Sequence, residues 1–180
     1  MTPFPLLDGL CDPELQALRL DGEAYRLAES YVPIGLRPLA ATRAAAALGD
    51  RSPRLISALG TAAWIWGAAS HPPEQGEFLV DLAARWRPPF GGNLVVIESS
   101  VHTDDVARWG RCLVTTPLRT VSDLARFRTD FGVADADAVR RLAEVGGFGF
   151  EAAVRAMNRG RNLSGKRAAA DRLRAALSPS

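Results

Sequence analysis

The side chains able to do chemistry in this sequence are few and scattered. Its two histidines, His71 and His102, fall in loop-like contexts far from any patterned nucleophile. His102 precedes Thr103-Asp104-Asp105, and such a group could bind a metal or act as acid and base. A helix start explains the same residues more economically, with Thr103 as cap and two aspartates at the positive end of the dipole. The two cysteines, Cys11 and Cys112, have neither CxxC spacing nor a nearby His pair. That argues against a zinc site or a disulfide framework and predicts two buried thiols.

Cofactor chemistry finds no better footing. Gly91-Gly92 precedes a strand-like run instead of joining a strand to a helix, so it reads as a plain turn and not a dinucleotide loop. Gly146-Gly147-Phe148-Gly149 sits between two helical patterns and reads as a helix-helix connection. A restriction-type nuclease would need an acidic residue followed by Glu-x-Lys or Gln-x-Lys, and the one lysine of the sequence stands in Ser164-Gly165-Lys166 instead. The expected catalytic, cofactor-binding and metal-ligating sets are therefore empty, and the chain reads as a binding or regulatory module.

Two features remain for binding. Residues 1 to 30 hold six acidic side chains against two arginines, whereas residues 151 to 180 hold seven basic against two acidic. In that basic end Arg155, Arg159, Arg161, Lys166 and Arg167 are candidates to meet nucleic acid or an acidic partner. Trp64, Trp66, Trp86 and Trp109 could stack on bases, but Trp64 and Trp66 flank Ile65 in a short apolar helix where packing is the simpler role.

The 180 residues are 47% hydrophobic and 23% charged, enough for one compact domain with a small appendage. No secretory signal opens the chain and no apolar run approaches the ~20 residues needed to cross a bilayer, so a cytoplasmic location is expected. Asp12-Pro13-Glu14 predicts a short helix ending at Asp21-Gly22, followed by a hairpin of Glu23 to Leu27 and Tyr31 to Ile34. An alanine-rich helix spans Pro38 to Leu48, and Thr61 caps a turn ending at Gly67. Strands follow at Glu77 to Leu82, with Phe78, Val80 and Leu82 on one buried face, at Leu94 to Glu98 and at Cys112 to Thr115. Thr116-Pro117 starts a helix with Leu118, Val121, Leu124 and Ala125 inward. Three further helices start at Asp135, Glu151 and Ser164. The expected class is α+β: a partial winged-helix-like N-terminus, a small central mixed sheet and a C-terminal helical bundle.

Two stretches carry a family resemblance. Thr61-Ala62-Ala63-Trp64-Ile65-Trp66-Gly67 and Val114-Thr115-Thr116-Pro117-Leu118-Arg119-Thr120-Val121-Ser122-Asp123-Leu124 resemble the AbiEi antitoxins of bacterial toxin-antitoxin systems. The order also matches, with a wing-like hairpin, Arg43 in the alanine-rich helix, strands, and the Thr-Pro-Leu-Arg-Thr start with Asp123. The resemblance spans residues 15 to 177. It implies a shortened winged-helix segment over residues 1–36 and an antitoxin domain over residues 37–180. By the same resemblance the first would bind promoter DNA and the second would counter a nucleotidyltransferase toxin. The alternatives are a nuclease-related enzyme and a stand-alone interaction domain without a toxin. Arg119 and Asp123, four apart on one helix, are expected to pair and clasp the helix start to the sheet, with Thr116 and Thr120 available to satisfy first-turn amides; the alternative is an exposed Arg119 beside the Trp64 turn that forms a partner-binding hot spot.

Overall fold

The computed structural model describes residues 6–7, 9–84, 93–159 and 165–178; Trp86, Gly91-Gly92, Arg161 and Ser164 lie outside the described residues. Helix α1 (Asp12–Leu20) starts at its expected place, one residue from the expected cap. Cys11 is the N-cap and its amide donates to the Glu14 carboxylate at 2.9 Å. Cys11 is consequently exposed, while Cys112 is buried as expected. Strands β1 (Ala24–Leu27) and β2 (Ser30–Pro33) form the antiparallel hairpin. Leu27 and Val32 bury against Leu48 of helix α2 (Ala40–Leu48) and against Phe78 and Val114 of the sheet. The hairpin therefore shares a core with α2 and the sheet.

The sheet comprises β3 (Ile56–Ser57), β4 (Gly76–Asp81), β5 (Leu94–Ser99), β6 (Val106–Trp109) and β7 (Cys112–Thr115), in the order β5-β4-β3-β7-β6. It is mixed, because β4 pairs parallel with β5 and β3 parallel with β7, while β3-β4 and β6-β7 are antiparallel. On β4 the expected one-sided burial gives way to burial of four successive residues, Glu77 to Val80. Apolar layers on both faces cause this: Phe78 and Val80 enter the α2 and hairpin core, and Leu79 enters the helical layer. Strand β6 was hidden by the apparent helix start at Thr103. The helix there is a single 3-10 turn, Thr103–Asp105, and β6 follows at once, turning through Gly110 (φ +59°) and Arg111 into β7.

Helix α3 (Leu59–Ile65) joins β3 to β4, and its N-cap is Ala58, so Thr61 lies inside the first turn and does not cap it. The helical layer is α4 (Pro117–Phe127), α5 (Val133–Gly146), α6 (Phe150–Asn158) and α7 (Lys166–Leu177). Asp135 does not cap α5; Gly132 does, and Asp135 accepts its amide at 3.1 Å from three residues on. Val121, Leu124, Val139, Leu142, Met157 and Leu173 form the apolar centre of this layer. Each such buried side chain contributes about 1.5–3 kcal/mol relative to exposure. Arg172 of α7 donates to the carbonyls of Ala125 and Arg128, both at 2.8 Å, and so satisfies the open end of α4. The architecture is α+β.

Candidate functional site

The first motif builds the junction of α3 with the sheet. The Thr61 hydroxyl accepts the Glu77 amide at 2.8 Å, and the Glu77 carboxylate accepts the Gly60 amide at 2.6 Å. Arg128 closes the arrangement from the end of α4, paired with both Glu77 and Asp135. Desolvation pulls the Arg128 pKa down, but these two carboxylates outweigh it and the net shift is upward. A Cβ at position 60 would sit 2.7 Å from the Glu77 carboxylate and 2.9 Å from the Arg128 guanidinium, so this ion pair would have to shift to admit one. Ala62, Ala63 and Trp64 are buried, with Trp64 only 2% exposed. The Trp64 carbonyl accepts from Arg43 at 2.8 Å, and Gly67 takes the positive φ that ends α3.

The second motif sets the start of α4. Thr116 is the N-cap and accepts the Arg119 amide at 3.4 Å, and Pro117 fills the first turn. The Thr120 hydroxyl does something else than satisfy an amide: it donates back to the Thr116 carbonyl at 2.9 Å and lies 2.7 Å from the Thr115 hydroxyl on β7. One turn further, Arg119 Nε donates to both oxygens of Asp123 at 2.9 Å. The remaining guanidinium nitrogens reach outside the helix. Nη1 donates to Asp105 Oδ2 at 2.7 Å and the Ser100 carbonyl at 3.0 Å, and Nη2 to Ser99 Oγ at 2.9 Å. Arg119 thus clasps α4 to the end of β5 and to the turn ahead of β6.

Asp105, expected only as a dipole-end aspartate, has a role that sequence reasoning missed, as partner of Arg119. It is 4% exposed and accepts the His102 amide at 3.2 Å as well as the Arg119 bond. Its neighbour in sequence gave the only hint: two adjacent aspartates before an alternating Val-Ala-Arg-Trp run that ends in Gly-Arg, a two-residue hairpin turn. Asp123 has no exposed surface at all. Burial pushes its carboxyl up to about 6, against the opposing pull of Arg119. For Arg119 desolvation lowers the pKa, yet Asp123 and Asp105 together outweigh it and the net shift is upward. The two directions compete within one pair.

This knot floors a cavity of about 430 Å³ between the sheet edge, α4 and α6. Arg119, Ser122, Asp123 and Arg126 project into it from one face of α4, at the spacing of successive helical turns. Of the basic candidates, Arg159 lines the cavity and lies 3.6 Å from Asp105 Oδ1. Arg155 and Arg167 are exposed on α6 and α7, and Lys166, half-buried, opens α7. Among the described residues no group of three or more His, Cys, Asp or Glu side chains is placed to hold a metal ion. No described helix is long and apolar enough to cross a membrane.

Comparison with known proteins assigns the fold. No curated protein matches the chain. Residues 55–175 match the profile of the AbiEi antitoxin C-terminal domain, a span running from β3 into α7 and containing both motifs. The match covers well over half of the sequence, and with it the chain belongs to the AbiEi family of antitoxins.

Proposed function

We propose that this protein is a non-catalytic antitoxin that acts in the cytoplasm by binding, and that its target is a nucleotidyltransferase toxin. The observation that carries this reading is the family match across the sheet and the helical layer. The geometry of the second motif supports it. Arg119, Asp123 and Asp105 satisfy one another, and the groups that bond Arg119 are those that position α4 on the sheet. Their role is to shape a surface. Residues 37–180 act as the antitoxin domain and residues 1–36 as a shortened winged-helix segment that assists binding to promoter DNA. Arg155, Arg159, Arg161, Lys166 and Arg167 supply the basic charge that meets DNA phosphates or an acidic face of the toxin.

Co-expression tests the central claim. Cells carrying the nucleotidyltransferase encoded beside this gene should resume growth when the chain is supplied, and Arg155→Glu with Arg167→Glu should weaken that rescue. Continued growth arrest with soluble protein present would reject the antitoxin role. Promoter binding is read separately, by fluorescence anisotropy on DNA from upstream of the gene against scrambled DNA. Sequence-preferring affinity that falls steeply with salt is expected; equal affinity for both DNAs would reject promoter recognition.

A further inference from the structure

Five of the nine large apolar side chains left exposed among the described residues fall between Leu10 and Leu39, and four of them gather at one corner. The corner is where α1 ends and the hairpin opens. The Glu23 amide donates to the Leu18 carbonyl at 2.9 Å and the Ile34 amide to the Glu23 carbonyl at 2.8 Å, so the end of α1 and Ile34 both abut Glu23. The Leu36 carbonyl accepts from the Tyr25 hydroxyl at 3.1 Å, and Leu39 is the N-cap of α2. Leu20, Ile34, Leu36 and Leu39 are 45–79% exposed. Single exposed aliphatics are ordinary on a protein surface, whereas a group of them marks a surface for interaction.

Two further observations single out this corner. Helix α1 has nine residues and buries none of them, although a helix this short depends on packing for its stability. The hairpin, in turn, is anchored by its closed end: the Glu29 amide donates to the Ala46 carbonyl at 3.2 Å, and the Glu29 carboxylate pairs with Arg51 at 3.2 Å. Its open end is therefore the one presented outward. The rim of the corner carries Arg19, Asp21, Glu23 and Arg37, all exposed. None of these four forms an ion pair among the described residues.

The charges on the rim select among occupants. A DNA backbone or an anionic lipid surface would meet Asp21 and Glu23 unfavourably, and a strongly charged protein of either sign would be repelled by one half of the rim. A two-fold interface has the opposite requirement, because each patch meets itself and must supply both partners of every pair. Two arginines and two carboxylates around an apolar centre meet that requirement. We infer that this corner is a self-association surface, on which Leu20, Ile34, Leu36 and Leu39 of two copies of the chain pack together while the arginines of each copy meet the carboxylates of the other. The contact covers the exposed end of α1. It is independent of the toxin reading, which co-expression rescue tests without reference to this corner.

Sedimentation velocity of the intact chain over about 5–500 μM tests this, since a small patch sustains a dimer with a dissociation constant of roughly 1–100 μM. The parent chain should shift from monomer to dimer across that range. Leu20→Ser with Leu39→Ser, at exposed positions that leave the core intact, should weaken the dimer at least tenfold. Two charge variants locate the contact. Arg19→Glu with Arg37→Glu gives an acidic rim, and Asp21→Arg with Glu23→Arg gives a basic one. Each alone should remain monomeric, and an equimolar mixture should form the dimer again, a result that loss of folding cannot produce. A parent chain that is monomeric at about 500 μM overturns the inference. So does a dimer unchanged by the two serines, or a mixture that associates no better than its components. A monomeric chain that instead co-sediments with phosphatidylserine vesicles or with duplex DNA, and loses this with the two serines, overturns it in favour of that occupant.

Discussion

Asp123 has no exposed surface, and the group that hydrogen-bonds its carboxylate is the Arg119 guanidinium. Arg119→Ala would strand both Asp123 and Asp105 in the interior, and unfolding by denaturant should show a loss of about 3–5 kcal/mol. The raised carboxyl also sets a pH dependence. The folded value is pushed up to about 6, above the ordinary 3.8 of the unfolded chain. The folded protein therefore binds this proton more tightly, so the contribution of Asp123 to stability is fully present below 3.8 and is lost as pH rises through 6. Compared with Asp123→Asn, the parent chain should gain stability on acidification from pH 7 to pH 4, by on the order of 1–3 kcal/mol. Melting curves of both proteins across that range check the sign, and a flat difference would contradict it. The Arg119–Asp123 pair was legible because four residues on a helix make one turn. Asp105 was not, because it lies 14 residues back and reaches Arg119 only through the β6-β7 hairpin.

At the scale of elements, the start of α3 depends on a missing side chain. The Gly60 amide and the Arg128 guanidinium both converge on Glu77, and a methyl group at position 60 would intrude on both. Gly60→Ala should lower stability by about 1–3 kcal/mol in spite of the better helix propensity of alanine, and a melting temperature at or above the parent's would refute the crowding. The start of α4 could be read directly from Thr116-Pro117, since cap and first-turn chemistry is local. Other boundaries were displaced where a side chain at the third helical position does the capping: Glu14 and Asp135 accept the N-cap amide, which shifts the cap to Cys11 and Gly132. Burial of β4 on both faces was likewise illegible, because a polar Glu77 buried by Arg128 breaks the apolar run that would have signalled it.

For the whole molecule, the basic C-terminal end proves to be more than a charged appendage. Ala169, Leu173 and Ala176 of α7 are buried in the main core beside Val121 and Leu142. Deleting residues 166–178 should therefore abolish cooperative unfolding and not merely reduce affinity for DNA or a toxin; circular dichroism on heating reads this, and a sharp transition in the shortened chain would contradict it. Charge at this end is better tested by point changes at the exposed Arg155 and Arg167. The layering of the fold was visible in the order of patterns along the sequence. What was not visible is that the hairpin and α2 share one apolar cluster with the sheet, because contacts among residues 27, 48 and 114 have no sequence period.

The bonds from Arg172 to the end of α4 also bear on how the protein is made. Those carbonyls wait for a donor that arrives 44 and 47 residues later. As the ribosome delivers the chain, the sheet and α4 emerge first, but the layer cannot close until α7 has cleared the exit tunnel. Through that interval the apolar faces of α4 and α5 that α7 covers stay open, so this layer of the fold is completed only once α7 has been made.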